Sequence, residues 1–172
     1  MRLRHLAVLL AVATPLAACD NFSEVDGAPT PNVITVTGQW EGAATTTTCT
    51  PADGAEVDLC AVLGAGNEFP FRLIVSQQQE DQVAALLDYA GILASTGGVV
   101  TRDDVIRLAG NAVLTIDGTQ LIVVVRSWST GILGRGIAGS RMSGGWVTEA
   151  AVQGTTATAR AEHTILTATR TQ

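Results

Sequence analysis

The sequence predicts an all-β protein: an antiparallel up-and-down meander of about eight strands closing into a small barrel, with a β-sandwich as the alternative. Three observations point there. Short segments alternate apolar with polar residues, as half-buried strands do. Tight-turn residues separate them, and no long helical period intervenes. Charged residues make up only 15% of the chain, while 18 glycines and many threonines and valines favour strands and turns over helices. A meander with open edges invites aggregation, and closure into a barrel removes the edges.

The chain begins differently. Met1, Arg2, Leu3, Arg4 and His5 form a basic head; an apolar run covers residues 6–16, and Ala17-Ala18-Cys19 follows. A basic head, an apolar middle and small residues before a cut site are the marks of a secretory signal peptide. The apolar run is about half of the ~20 residues needed to span a bilayer, and Pro15 interrupts a continuing helix. Leu16-Ala17-Ala18-Cys19 resembles the lipobox of bacterial lipoproteins. The resemblance implies removal of residues 1–18, transfer of a diacylglycerol to the Cys19 thiol, and acylation of the new amino terminus by a chain such as palmitate. Two or more acyl chains anchor stably, where one binds only marginally. The expected location is the cell envelope, lipid-anchored and exposed to the periplasm. Asp20 resembles an inner-membrane retention signal of enteric bacteria, and the choice between the two membranes stays open.

Removing residues 1–18 from the 172-residue chain leaves 154, enough for one domain with a sizeable core. All ten basic residues are arginine, and losing Arg2 and Arg4 with the signal takes the formal net charge from -6 to -8. That balance argues against nucleic acid and against an anionic lipid surface as the main partner. Cys49 and Cys60 are the two cysteines left beyond Cys19. In an oxidising compartment an even pair reads first as a disulfide, and no histidine lies nearby to make a metal site. Closing so short a loop contributes about 3 kcal/mol in the chain-entropy account.

Residues 20–32, polar with Pro29 and Pro31, read as a flexible tether of roughly 20 Å that leads from Cys19 to a barrel domain over 33–172. The first strand is expected over 33–40, with Ile34, Val36 and Trp40 on one face. Glu41-Gly42 bends it, and 43–48 continues as a β-branched edge. Residues 69–77 place Phe69, Phe71, Leu73 and Val75 on one face; 78–81 is a polar hairpin tip, and 82–89 returns with Val83, Ala85, Leu87 and Tyr89 aligned. A helix over 80–93 competes, because Val83, Leu86, Leu87 and Ala90 also fit a 3.6 period; the flanking strands and the short turn favour the hairpin. Residues 91–100 are interrupted by glycine. Thr101 followed by Asp104 is a capping signal for one helical turn, which Gly110 ends.

The clearest hairpin joins 112–116 to 119–125 through Asp117-Gly118, a pair favoured in type I′ turns. Residues 121–125 are apolar throughout, as a strand buried on both faces would be. Gly131, Gly134, Gly136 and Gly139 mark a flexible turn region. The last two strands are expected over 142–149 and 155–169, around Gln153-Gly154. Gly38-Gln39-Trp40 near the start, the successive hairpins and the terminal stretch ending at Arg170 resemble small lipocalin-like or avidin-like barrels. That resemblance implies a closed meander whose interior or open end accepts a small apolar molecule.

Chemical motifs are few. Gly134 to Gly139 spells the dinucleotide fingerprint GxGxxG, but no helix or βαβ unit is expected behind it, so a strand-connecting loop is the reading taken. His163 shares a face with Ala159, Ala161 and Ile165 by alternation, so it either faces inward or is simply a satisfied polar residue. The adjacent carboxylates Glu80-Asp81 and Asp103-Asp104 fall in expected turns, and no calcium-loop spacing is present. Trp40, Phe71, Tyr89 and Trp128 are the candidate ligand-lining residues, with the filling of an ordinary core the commoner role for such aromatics. Arg126 shares a face with Ile122, Val124 and Trp128, where it would either stack on the indole as an outward cation–π pair or meet an anionic ligand inside. No catalytic set, no metal site and no cofactor are expected. The partners expected are the membrane, through acylated Cys19, and either a small apolar ligand or another envelope protein.

Overall fold

A computed structural model describes residues 33–54, 57–134 and 138–171. Cys19, the signal segment, the tether and positions 135–137 of the GxGxxG stretch lie outside the described residues. Eight antiparallel strands close into one barrel in the order of the chain: β1 (Gly38–Thr50), β2 (Glu68–Gln79), β3 (Gln82–Tyr89), β4 (Ile92–Val100), β5 (Val105–Ile116), β6 (Thr119–Leu133), β7 (Arg141–Val152) and β8 (Thr158–Arg170). The expected meander barrel is the observed architecture. One short helix, α1 (Leu59–Leu63), interrupts the β1–β2 connection.

The alternation that marked the strands places their apolar residues inside. Leu73, Val75, Val83, Leu87, Val123 and Val125 are buried, whereas Arg72, Arg107 and Arg126 point outward. An apolar interior with charges outside is the opposite of a transmembrane barrel, whose lumen is polar. β3 keeps the expected bounds, so the helical alternative over 80–93 is absent. The Asp117-Gly118 turn has both residues at positive φ (49° and 82°), as type I′ requires.

Several expectations change. Residues 33–37 do not join the ladder. They cross one end of the barrel and bury Ile34 and Val36 beneath it, which produces the same alternation as a strand. Gln78 holds them there: the Val36 N–H donates to its Oε1 (2.8 Å), and its Nε2 donates to the Ile34 carbonyl (2.9 Å). The Trp40 indole donates to the Val36 carbonyl (2.9 Å), and Arg170, paired opposite Trp40 across the β1–β8 seam, donates to the Thr35 carbonyl.

Gly42 does not end the strand. β1 runs through it and pairs on both sides, so 43–48 is no edge. A Cβ there would sit 1.8 Å from the Thr167 carbonyl oxygen, so glycine permits the close approach of β8. Residues 92–100 are a full strand despite Gly97-Gly98. The stretch at 101–104 is a turn with Asp104 at φ 59°, not a helical start, because β5 resumes at Val105.

The run at 121–125 is buried on one face only. Ile122 is 42% exposed, since a single-layer barrel has one inside. Gly131 lies within β6, and the turn begins at Gly134. The strand β7 starts just beyond Gly139, so no helix stands behind the GxGxxG letters.

Candidate functional site

The interior of the barrel holds a continuous aromatic cluster. Trp146 lies between Trp128 (ring centroids 4.9 Å, 22°) and His163 (4.7 Å, 29°). Phe71 touches both tryptophans, and Tyr89 meets Trp146 and His163 edge-on at 5.0 Å. Phe69 closes on Tyr89 in a T-shaped contact. Offset and edge-to-face contacts of this kind add about 0.5–1.5 kcal/mol per pair beyond burial.

Local irregularities build this cluster. Strict alternation from Val125 would turn Trp128 outward beside Arg126. A β-bulge between Arg126 and Ser129, with Ser127 at φ 51°, shifts the parity and brings Trp128 inside. Arg126 stays outside and pairs with Glu149 (3.2 Å), so the expected Arg126–Trp128 stack does not form. Opposite the bulge, Gly144 and Gly145 let β6 and β8 approach β7. A Cβ on either would lie 2.2 Å from a backbone carbonyl oxygen, that of Ser129 or of His163.

A chain of polar side chains runs along the same rings. The Thr46 hydroxyl bonds the Tyr89 phenol (3.0 Å) and His163 Nδ1 (3.2 Å), and His163 Nε2 bonds the Thr148 hydroxyl (3.0 Å). Thr46, Thr148 and His163 are all buried. Burial lowers the His163 pKa to about 4, so the ring is neutral at pH 7. Burial likewise raises the Tyr89 phenol above its usual value, with the Thr46 hydrogen bond opposing. A base held so far below neutrality is poorly matched to proton transfer at pH 7. Among the described residues no three histidine, cysteine, aspartate or glutamate side chains gather as a metal site.

The tryptophans differ in hydrogen bonding. Trp40 donates to Val36 and Trp128 to the Thr130 hydroxyl (3.0 Å), whereas the buried Nε1 of Trp146 has no acceptor. Such an orphan costs about 1–3 kcal/mol if nothing fills the gap.

α1 covers the barrel end opposite residues 33–37. Leu59 and Leu63 are buried against β1 and β8, and Asp58 caps the helix by accepting from the Cys60 N–H (2.8 Å). The expected disulfide joins Cys60 to Cys49 of β1, with Cα atoms 5.6 Å apart. Thr46 ties α1's connection to the cluster: its N–H donates to the Asn67 carbonyl, and its carbonyl accepts from the Gly66 N–H.

Of the candidate lining residues, Phe71, Tyr89 and Trp128 come together, while Trp40 lies toward the end crossed by residues 33–37. His163 faces inward, the first of the two readings that its alternation with Ala159, Ala161 and Ile165 left open. Trp146, Thr46 and Thr148 were missed as members of the site, because a tryptophan beside two glycines and threonines in a threonine-rich chain carry no local signature.

Outside the barrel, a depression of about 270 Å³ lined by Glu41, Gly42, Pro70, Phe71, Arg72 and Asp88 lies beside the Arg72–Asp88 ion pair. Compared with known protein families, curated proteins and solved structures, the chain matches none. Fold and interior together define a closed eight-stranded antiparallel barrel with an aromatic and hydroxyl-lined core.

Proposed function

We propose that this protein is a non-catalytic lipoprotein of the bacterial cell envelope, anchored through acylated Cys19, whose barrel binds a small, mainly apolar molecule. The observation that carries this reading is the interior itself. Aromatic rings and uncharged hydroxyls surround an indole N–H that lacks an acceptor. Eight-stranded barrels are wide enough to hold side chains or one small ligand. The lipobox-like Leu16-Ala17-Ala18-Cys19 supports the anchor, and the Gly38-Gln39-Trp40 opening supports a lipocalin-like relation. The neutral, hydroxyl-bonded His163 argues for a binding role over a catalytic one.

A second reading rests on the outer wall. Val113 and Ile122 face each other across β5–β6, at 66% and 42% exposure, and Leu93 on the adjoining β4 and Leu86 on β3 beyond it are exposed as well. An apolar strip of this kind suits contact with another envelope component.

Native mass spectrometry of the protein taken from its own membrane tests both. The expected species begins at Cys19, carries acyl mass on it, and retains a small neutral molecule. An amino terminus elsewhere or a bare thiol overturns the anchor. A ligand-free chain bound to a second protein replaces the first reading with the second.

A further inference from the structure

The outside of the barrel is divided into two unlike walls. Residues 82–87, 92–100, 108–116 and 119–125, the greater part of β3–β6, include no charged side chain. The ion pairs lie on the other strands or at the margins of this wall: Arg72 with Asp88, Arg126 with Glu149, and Arg160 with Glu149 and Glu162. Of the eight large hydrophobic side chains exposed among the described residues, five stand on the uncharged wall: Leu86, Leu93, Val99, Val113 and Ile122. The register makes four of them neighbours. Val113 is paired with Ile122, Ser95 is paired with both Leu86 and Asn111, and Leu93 and Val113 lie two residues beyond Ser95 and Asn111 on the same face.

Two observations say what covers this wall. The first is where the chain enters the barrel. Residues 33–37 are held at Gln78, whose Nε2 donates to the Ile34 carbonyl and to the Glu80 carbonyl of the β2–β3 turn. Gln78 is paired with Val83 of β3, the first strand of the wall. The residues between Cys19 and Val33 span roughly 20 Å as a flexible chain, so an anchor at Cys19 holds the wall within reach of the bilayer.

The second is what the wall lacks. Tyr89 and Trp128, the aromatic residues of β3–β6, are buried, and Arg107 and Arg126 stand only at its margin. Protein interfaces draw most of their binding energy from tryptophan, tyrosine and arginine seated in pockets. A convex, aliphatic, uncharged surface suits a fluid hydrocarbon boundary instead, because apolar burial is non-directional and needs no shape match.

We propose that the outer wall of β3–β6 is a membrane-docking surface, lying against the bilayer that holds Cys19 while β8 and β1 face the water. The proposal rests on the lipid anchor described above and gives the apolar strip a lipid rather than a protein to cover it.

The test uses the acylated protein, its mass on Cys19 verified, in vesicles of phosphatidylcholine alone. Single nitroxide labels are placed at Leu93→Cys, at Val113→Cys and, on the opposite side of the barrel, at Thr164→Cys, all exposed positions. A water-soluble nickel chelate is expected to broaden the Thr164→Cys label and to lose access to the other two, which dissolved oxygen relaxes instead. That protection should persist at high salt, because screening weakens contacts between charges and not apolar ones. Adding Val113→Asp to the Leu93→Cys protein should restore the chelate's access to its label.

Equal access of the chelate to all three labels on acylated protein overturns the docking wall and leaves the anchor standing, as does protection that vanishes in high salt or survives Val113→Asp. Protection found in native membranes but not in vesicles of lipid alone gives the wall to a protein partner. Spin–spin broadening between copies labelled at Val113→Cys gives it to a second copy; either result overturns the proposal. A bare Cys19 overturns the anchor and the docking wall with it.

Discussion

His163 is the residue on which the interior's pH response turns. Its folded pKa of about 4 lies below the unfolded value of 6.5, so the unfolded chain takes up the proton first. Stability is therefore full above pH 6.5 and is lost as pH falls toward 4, by about 3 kcal/mol at most. Urea unfolding at pH 7 and pH 4.5 should show most of that loss in the wild-type protein. His163→Asn should flatten the response across this window while lowering stability at pH 7. Ala90 offers the opposite kind of change. It sits at φ 51° in the β3–β4 turn, a left-handed conformation unfavourable for alanine. Ala90→Gly is expected to raise stability by up to about 1 kcal/mol, read as a higher denaturation midpoint with an unchanged slope.

Among the elements, α1 depends on its staple. Five residues are too few to hold a helix alone; burial of Leu59 and Leu63 and the bond to Cys49 hold it. Replacing both Cys49 and Cys60 by serine should cost about 3 kcal/mol, and hydrogen exchange should rise first at residues 59–67. The β1–β8 seam depends on Gly42. Gly42→Ala drives a methyl into the Thr167 carbonyl, and a loss of about 3 kcal/mol is expected by calorimetry. Both elements were only partly legible. The cysteine pair announced the loop, but its helix gave no period long enough to detect. Gly42 read as a bend because glycine marks bends and close approaches alike.

At the scale of the whole molecule, the closed barrel leaves one inside and one outside, and binding readings attach to each. The outer strip around Val113 and Ile122 predicts that Val113→Asp keeps the fold, with a stability change within about 0.5 kcal/mol, since the side chain is mostly exposed. Loss of a co-purifying envelope protein in that variant would favour the interaction reading; retention of a small ligand would favour the interior. The anchor is tested separately. Cys19→Ser is expected to leave the membrane fraction while the domain over 33–172 folds unchanged.

The all-β class, the hairpins at Gln82 and at Asp117-Gly118 and the disulfide were determined by the sequence alone. Each rests on a period of two, a turn pair or a cysteine count, which are local properties. Parity across irregularities was decided only by the tertiary structure. The bulge at Ser127 turns Trp128 inward, the cross-barrel path of residues 33–37 imitates a strand, and Trp146 is brought between Trp128 and His163. None of these has a local signal, because each arises where strands distant in the chain meet.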